Sequence, residues 1–391
     1  MEKRIFTVLF IAVFATMPGT GIIEPFMAIY AESLGANGFF IGLIFGAFTL
    51  SRAIFTPLIG RWSDLRGRKN IMIIGLIGYT VMSFFYAIGN TVASLTIIRF
   101  FHGLASAMVL PIAMAYIGDI APKNQEGKYL GTFTISFFLG LAFGPIIGGA
   151  LHDLWSMNAA FYTMGAISFL ALLLLIFMLP EINAHKKIKP SSMKTIMKDK
   201  TMQAMMIFRL LNAYGIAALM GFLPLLAQRL NVTIFQIGFM VSANLIASSL
   251  LQRYFGILAD RKDKIMMTII GTLIMAGSLL LMPLAAGFYS LLALNMIMGF
   301  GSAVSIPAGS AITAKLGRKM GMGSVMGIFN TAFGIGAGIG PIIAGLIMVG
   351  TSLAFVFISS ALITLLGTII FYYLMKNNKE YRTAHVEAVS E

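Results

Sequence analysis

Twelve long apolar runs dominate this chain, and each is long enough to cross a bilayer core, which is about 30 Å thick and needs about 20 residues per helix. The runs occupy residues 5–30, 39–59, 71–90, 93–117, 129–150, 159–179, 203–227, 235–257, 265–285, 289–312, 323–347 and 353–375. Only 11% of the 391 residues are charged, whereas soluble chains carry roughly a quarter. We therefore expect an all-α integral membrane protein with twelve transmembrane helices. The composition excludes a soluble enzyme and a disordered protein, and a chain without cysteine has no disulfide or thiolate metal site.

The basic residues are concentrated in alternate connections between the runs. Lys and Arg number 28 against 14 acidic residues, which gives a formal net charge of +14. Segments 60–70 and 180–202 and the tail after residue 375 hold many of them, whereas Arg229 stands alone among the short connections of the other side. Because cytoplasmic loops are enriched in Lys and Arg, we expect a multi-pass protein of the cell membrane with both termini in the cytoplasm. The charge therefore does not indicate a nucleic-acid partner.

The second half of the chain repeats the first at a constant offset of 196 residues. The matching pairs are Gly42 and Gly238, Gly60 and Gly256, Asp64 and Asp260, Gly75 and Gly271, Gly103 and Gly299, Pro111 and Pro307, Gly144-Pro145 and Gly340-Pro341, and Gly149 and Gly345. We expect two pseudo-symmetric six-helix halves, 1–180 and 203–376, with a cytoplasmic linker over 181–202 and a tail over 377–391. Transporters built from two such repeats bind substrate between the halves near the midplane. Because one chain contains both halves, we expect the protein to be a monomer.

Four segments carry a resemblance to a known family. Residues 60–69 (GRWSDLRGRK) resemble the signature between the second and third helices of the major facilitator superfamily, and residues 256–262 (GILADRK) resemble its degenerate second copy. Residues 99–103 (RFFHG) resemble the fourth-helix motif, with His102 where many relatives carry Gln. Residues 140–149 (GLAFGPIIGG) resemble the fifth-helix motif of the drug:proton antiporter branch. The resemblance implies the major facilitator fold and transport by alternating access.

The first of these segments implies a conformational lock on the cytoplasmic side. Its candidate residues are Gly60, Asp64, Arg66, Arg68 and Asp119. The glycines would reverse the chain tightly between two helices. Asp64 would cap the eleventh helix near residues 321–323, where free N–H groups favour an anion, and Arg68 or Arg66 would pair with Asp119. Anchoring of the loop by its positive charge alone is the alternative.

Glycine and proline residues of the fifth run predict a close helix contact and a bend. The residues are Gly140, Gly144, Pro145 and Gly148, with Gly340 and Pro341 in the repeat copy. Proline removes a backbone donor and bends a helix. Glycines four residues apart let another helix approach closely.

Few charged side chains lie inside the predicted spans. They are Glu24, Arg52, Arg99, Arg209 and Arg253. A lone charge at the bilayer centre costs about 2.5–3.5 kcal/mol even on lenient scales, so each should face a cavity or a partner. We expect Glu24, the only acid well inside a span, to exchange protons. Arg99, which the resemblance links to proton coupling, Arg52 and His102 are the other candidate coupling residues.

Structural roles are the alternatives for these charged groups. Glu24 could form a purely structural pair or lie near the outer mouth, Arg99 could be a hydrogen-bonding centre, and His102 could be packed and neutral. Arg209 and Arg253 are close to predicted cytoplasmic ends, and we expect both to snorkel towards water.

Polar residues of the second half are candidate liners of a substrate cavity. With Glu24, they are Asn212, Tyr214, Gln236, Asn244, Asn295 and Asn330. No Walker-type phosphate-binding sequence occurs, so we expect no ATP use and no cofactor, and an ion or substrate gradient would supply the energy. We expect a transporter, not an enzyme, that exports small amphipathic or cationic compounds against protons in the manner of multidrug efflux. Sugar or metabolite efflux, and a non-transporting membrane sensor or lipid-handling protein, are the alternatives.

Overall fold

The computed structural model describes residues 2–120, 126–181, 193–320 and 322–376, and every regular element in these ranges is helical. The α-helices are α1 (Glu2–Ile23), α2 (Met27–Ser33), α3 (Gly38–Arg66), α4 (Arg68–Ile88), α5 (Val92–Ile120), α6 (Glu126–Leu154), α7 (Met157–Met178), α8 (Met193–Lys198), α9 (Lys200–Arg229), α10 (Ile234–Arg261), α11 (Lys264–Leu281), α12 (Phe288–Met320), α13 (Met322–Gly350) and α14 (Leu353–Met375). Twelve spans in the described ranges are long and apolar enough to cross a membrane. The predicted all-α membrane fold is confirmed.

The first span is interrupted where the sequence analysis predicts one continuous helix. A 3-10 turn over Glu24–Phe26 separates α1 from α2. Pro25 lies in this turn and has no N–H with which to continue the α-helical hydrogen bonds, which favours the tighter turn. The interruption sets the carboxylate of Glu24 at a break in the helix.

The connection between the second and third spans is much shorter than predicted. Helix α3 continues to Arg66 and α4 begins at Arg68, so Gly67 alone reverses the chain, with a φ of 91° that favours glycine. Gly60 lies inside α3, and a Cβ atom added there would have nothing within 4 Å. The prediction that Gly60 helps to turn the chain is therefore wrong; residues 60–66 are helical because nothing interrupts the backbone hydrogen bonds before Gly67.

The chain forms two compact units. One comprises Met1–Lys187 with Ala227–Ala243, and the other comprises Ile188–Leu226 with Asn244–Glu391. In the first unit, Leu9, Tyr79 and Phe133 belong to a buried apolar core. In the second unit, Phe208 and Phe371 belong to the corresponding core.

Helix contacts inside the two units repeat with the offset seen in the sequence. A Cβ atom added at Gly140 would lie 2.8 Å from the carbonyl oxygen of Phe14, and one added at Gly336 would lie 2.1 Å from that of Leu210. The same offset relates the neighbours of Gly75 and Gly271 (Ala105 and Gly301), of Gly103 and Gly299 (Phe48 and Asn244), and of Gly144 and Gly340 (Pro18 and Tyr214). Each unit therefore packs these helices in the same way.

Candidate functional site

An ion pair inside the spans joins Glu24 to Arg99. The guanidinium of Arg99 donates from Nη1 to Oε2 of Glu24 at 3.0 Å and from Nη2 to Oε1 at 3.1 Å. Both carboxylate oxygens are thus engaged in a bidentate arrangement, which is the strongest geometry for this pair. The Arg99 side chain is fully buried, whereas 28% of the Glu24 side chain is exposed. Glu24 is therefore the more accessible member of the pair and Arg99 the fully enclosed one.

A backbone carbonyl group and two aromatic rings surround the buried guanidinium of Arg99. Its Nε atom donates to the carbonyl oxygen of Ile44 in α3 at 3.4 Å. Its guanidinium carbon lies 4.5 Å from the ring centroid of Phe48 and 5.4 Å from that of Phe45. Aromatic faces attract a cation, so these rings compensate part of its lost hydration. The guanidinium is therefore fixed from several sides, and Glu24 is the more accessible partner.

His102 lies one helical turn from Arg99 and is packed among aromatic rings. It is fully buried, and its ring stands nearly perpendicular to that of Tyr79, with centroids 4.5 Å apart. Its Nδ1 atom lies 3.1 Å from the hydroxyl oxygen of Tyr86. The Phe48 ring contacts both His102 and Arg99, so His102 packs against the aromatic ring that contacts the guanidinium.

Two glycines of α6 pack against the backbone of α1 just before the helix break at Glu24. A Cβ atom added at Gly144 would lie 2.5 Å from the Cα atom of Gly21, and one added at Gly148 would lie 2.1 Å from the carbonyl oxygen of Ile22. Real Cβ atoms do not come this close to backbone, so only glycine permits the contact. Helix α6 continues through Pro145 without a break. The residues just before Glu24 are thus held directly against α6.

We expect Gly148→Ala to lower the melting temperature of the purified protein and its transport rate. The added methyl group must displace the α1 backbone at Ile22, and overpacking of this kind costs about 1–3 kcal/mol. Thermal denaturation in detergent measures the effect. Gly277→Ala in α11 is the matched control, because an added Cβ there has nothing within 4 Å. Equal stability of the two variants would contradict the seating of Glu24 by α6.

Arg52 stands apart from the Glu24–Arg99 pair. Its side chain in α3 is half-buried, and it forms no ion pair with any side chain that the structure describes. The structure thus brings together Glu24, Arg99 and His102, but it does not add Arg52 to their contacts.

The residues expected to form a lock are partly assembled. Arg68 donates from Nε to Oδ2 of Asp119 at the end of α5, and both side chains are largely buried. Arg66 is exposed, so Arg68 is the arginine that reaches Asp119. The side chain of Asp64 and residue 321 lie outside the described part of the chain, as do the residues 182–192 of the expected linker and the tail beyond 376.

Glu181 is a further contact of this region that the sequence analysis missed. Its Oε1 atom accepts from the backbone N–H of Lys69 at 3.2 Å, in the first turn of α4. An anion is favoured at a helix N-terminus, where backbone N–H groups lack partners. The signal available in the sequence was an acidic residue directly after Pro180, at the end of the sixth run.

The polar residues of the second half have different surroundings. Asn244 donates from Nδ2 to the backbone oxygen of Asn295 and, at 3.2 Å, to its Oδ1 atom, and both residues are buried. Asn295 is the repeat counterpart of Arg99 at the offset of 196 residues. Gln236 accepts from the backbone N–H of Thr233 at 3.0 Å, a capping contact at the start of α10. Asn330 is exposed. Asn244, Asn295 and Gln236 therefore have structural contacts that compete with a cavity-lining role.

Asn212 and Tyr214 of α9 are both buried. Asn212 donates from Nδ2 to the sulfur of Met275 at 3.3 Å, and its Oδ1 atom has no hydrogen-bond partner among the described residues. The hydroxyl of Tyr214 lies near Ser359 and Ser360 and interacts with both. Asn212 therefore keeps one free acceptor.

Comparisons with known proteins agree on one family. The family model described as Major Facilitator Superfamily matches twice, over residues 9–204 and 205–390. An uncharacterized MFS-type transporter of Methanocaldococcus jannaschii is 35% identical over 380 residues, covering 95% of this chain and 98% of that protein. The quinolone resistance protein NorA of Staphylococcus aureus is 29% identical over 359 residues, covering 88% of this chain and 90% of NorA.

Solved structures agree on the fold. The crystal structure of a bacterial homologue of the human lysosomal transporter Spinster, inward-facing and unoccupied, has a TM-score of 0.85 and 14% sequence identity. The similarity covers 98% of this chain and 99% of that one.

Proposed function

The chain belongs to the major facilitator superfamily, and from this premise we propose that it exports small amphipathic or cationic compounds in exchange for protons, by alternating access. It is a multi-pass membrane transporter with twelve candidate spans. The similarity to NorA, whose name records quinolone resistance, supports the multidrug type of substrate. The fifth-span motif, Gly140 to Gly149, supports the drug:proton antiporter branch.

The observation that carries the proposal is the bidentate pair between Glu24 and Arg99. Ionisable groups inside spans are rare and mark ion or substrate pathways. Here the acid is partly exposed and the base is fully buried, so the acid is the group that exchanges protons with water. Arg99 stays charged, since a guanidinium does not deprotonate in proteins.

The pair links the proton to a movement of helices. When Glu24 binds a proton, Arg99 loses its charged partner, and a buried charge without compensation is strongly unfavourable. Conformations that give Arg99 another partner are then favoured. Deprotonated Glu24 re-forms the pair or holds a cationic substrate. Because proton and substrate compete for one carboxylate, each is released when the other binds, which is sufficient for exchange.

The proposal also includes an orientation in the membrane and a conformational lock on the cytoplasmic side. The excess of Lys and Arg in alternate connections supports a cell membrane protein with both termini in the cytoplasm. Two six-helix halves, 1–180 and 203–376, form the moving parts of a monomer. The contacts of Arg68 with Asp119 and of Lys69 with Glu181 stabilise the cytoplasmic connections in one state of the cycle.

Transport into proteoliposomes tests the function. We expect an imposed pH gradient to drive uphill movement of tetraphenylphosphonium or norfloxacin, with protons moving in the opposite direction. Vesicles without protein and vesicles with a collapsed gradient are the controls. Movement of labelled arabinose instead of these compounds would favour the sugar-transporter alternative. Substrate movement that ignores the pH gradient would contradict proton coupling.

A further inference from the structure

A second arginine inside the spans, Arg209 of α9, lies against aromatic rings and has no acidic partner in the described structure. Its guanidinium carbon lies 4.3 Å from the ring centroid of Phe333 and 5.0 Å from that of Phe329, both in α13. Its Nε atom is buried without a hydrogen-bond acceptor. The expectation that Arg209 snorkels stays a prediction; the two rings contact the guanidinium, and cation–π attraction replaces part of its hydration.

The same part of the chain offers no carboxylate inside its spans to balance this charge. The six spans are Lys200–Arg229, Ile234–Ala259, Lys264–Leu284, Phe288–Gly317, Val325–Gly350 and Leu353–Met375, and their sequences contain no Asp or Glu. Glu24, an acid inside a span of the other unit, is bonded to Arg99. Among the described side chains, no ion pair includes Arg209. Its charge is therefore available to an anion from outside the chain.

Asn212 of α9 also has an unsatisfied polar atom. It lies three residues after Arg209 and so on the same side of the helix. Its Oδ1 atom is buried without a hydrogen-bond partner among the described residues, and a buried polar atom without a partner is costly. Because this oxygen is an acceptor, it suits a donor group of a bound compound, and Arg209 is the group that suits an anion.

We propose that Arg209 binds an anionic group, such as a carboxylate, on the transported compound. A guanidinium presents donors in a planar fork that matches a carboxylate, and the rings of Phe329 and Phe333 keep this fork in place and offer apolar faces to the rest of the compound. The ligand class is an aromatic amphiphile with a single anionic group. This inference rests on the proposed transport function and adds a preference for an anionic group on the compound, which Glu24 does not impose.

A matched pair of dyes tests the proposal. Tetramethylrhodamine carries a carboxylate, and its methyl ester has the same aromatic body without that negative charge. Fluorescence anisotropy with purified protein in detergent gives the Kd of each dye for wild type, Arg209→Gln, Arg209→Lys and the control Arg253→Gln. Arg253 is a suitable control because it is exposed in α10.

We expect wild type and Arg253→Gln to bind the acid more tightly than the ester. Arg209→Gln should weaken binding of the acid by about 10- to 100-fold, the usual worth of a charge-assisted hydrogen bond, and leave the ester unchanged. Arg209→Lys should be intermediate, because the charge remains but the fork is lost.

Several results would overturn the proposal. They are a wild type that does not bind the acid or prefers the ester, an Arg209→Gln variant with an unchanged ratio of the two Kd values, and equal losses for both dyes, which would indicate a structural role. Displacement of the acid by phosphatidylglycerol would assign the site to a lipid phosphate. If the ester is still transported against protons in a Glu24-dependent manner in any of these cases, the proposed function stands and only the role of Arg209 falls.

Discussion

Glu24→Gln is expected to reduce pH-gradient-driven uphill transport to the level of protein-free vesicles. The carboxamide has nearly the shape of the carboxyl group but cannot release a proton, so it resembles a permanently protonated Glu24. Both halves of the proposed exchange need the ionised form, since it pairs with Arg99 and alternates with the proton. Downhill exchange of labelled for unlabelled substrate needs no net proton movement, so exchange that remains in the variant shows that the protein is folded and inserted. Parallel measurement of uphill transport and exchange in the same vesicles separates loss of coupling from loss of the protein.

A matched substitution is available in the same span. Glu32 lies in α2, eight residues after Glu24, and its side chain is exposed. Glu32→Gln should therefore retain uphill transport, although it removes the same charge by the same chemical change. If Glu24→Gln keeps full proton-driven transport, or if Glu32→Gln loses it equally, Glu24 does not couple protons to the substrate.

Arg99→Gln and Glu24→Gln are each expected to be destabilising, and the double variant should be more stable than the sum of the two effects predicts. Glu24→Gln leaves the fully buried Arg99 without its anion, and Arg99→Gln leaves a partly exposed carboxylate without its cation. Breaking a buried pair in this way costs up to about 3–5 kcal/mol. Removing both charges together is often nearly neutral. The melting temperatures of the two single variants and of the double variant, compared as a double-mutant cycle, measure the interaction.

The double-mutant cycle has a control variant and an outcome that would contradict the ion pair. Arg253→Gln removes an exposed arginine from α10 and should leave the melting temperature close to that of wild type. If the effects of Glu24→Gln and Arg99→Gln on stability simply add, the two groups do not interact in the membrane as the structure indicates. Transport by the double variant should remain uncoupled from protons whatever its stability, because Glu24 is absent.

The spans and the repeat could be predicted from the sequence because they depend on local composition. The length of an apolar run decides whether it crosses a bilayer, whatever its neighbours are. The offset of 196 residues reappears as equivalent helix contacts, such as those of Gly140 with Phe14 and of Gly336 with Leu210. Glycines at such crossings are constrained by the approach of another backbone, so their positions in the sequence carry structural information.

Partners that lie far apart in the chain could not be assigned in the same way. Glu24 and Arg99 are 75 residues apart, and the sequence left several arginines as candidate partners. Gly60 and Gly67 are both glycines of one motif, yet only Gly67 has the positive φ that makes the turn. The rings that hold Arg209 belong to α13, more than a hundred residues away. Facing directions of side chains follow from packing between helices, which one sequence does not specify.

Proton release on substrate binding tests the central claim most directly. Purified protein in a weakly buffered detergent solution with a pH-sensitive dye is mixed with saturating tetraphenylphosphonium, and the protons released per bound cation are measured. Exchange at Glu24 predicts that wild type and Glu32→Gln release protons when the cation binds. Glu24→Gln should release no protons, whether it still binds the cation or not. Release of equal size from wild type and Glu24→Gln, or binding to wild type with no release across the pH range in which it transports, would contradict the exchange at Glu24.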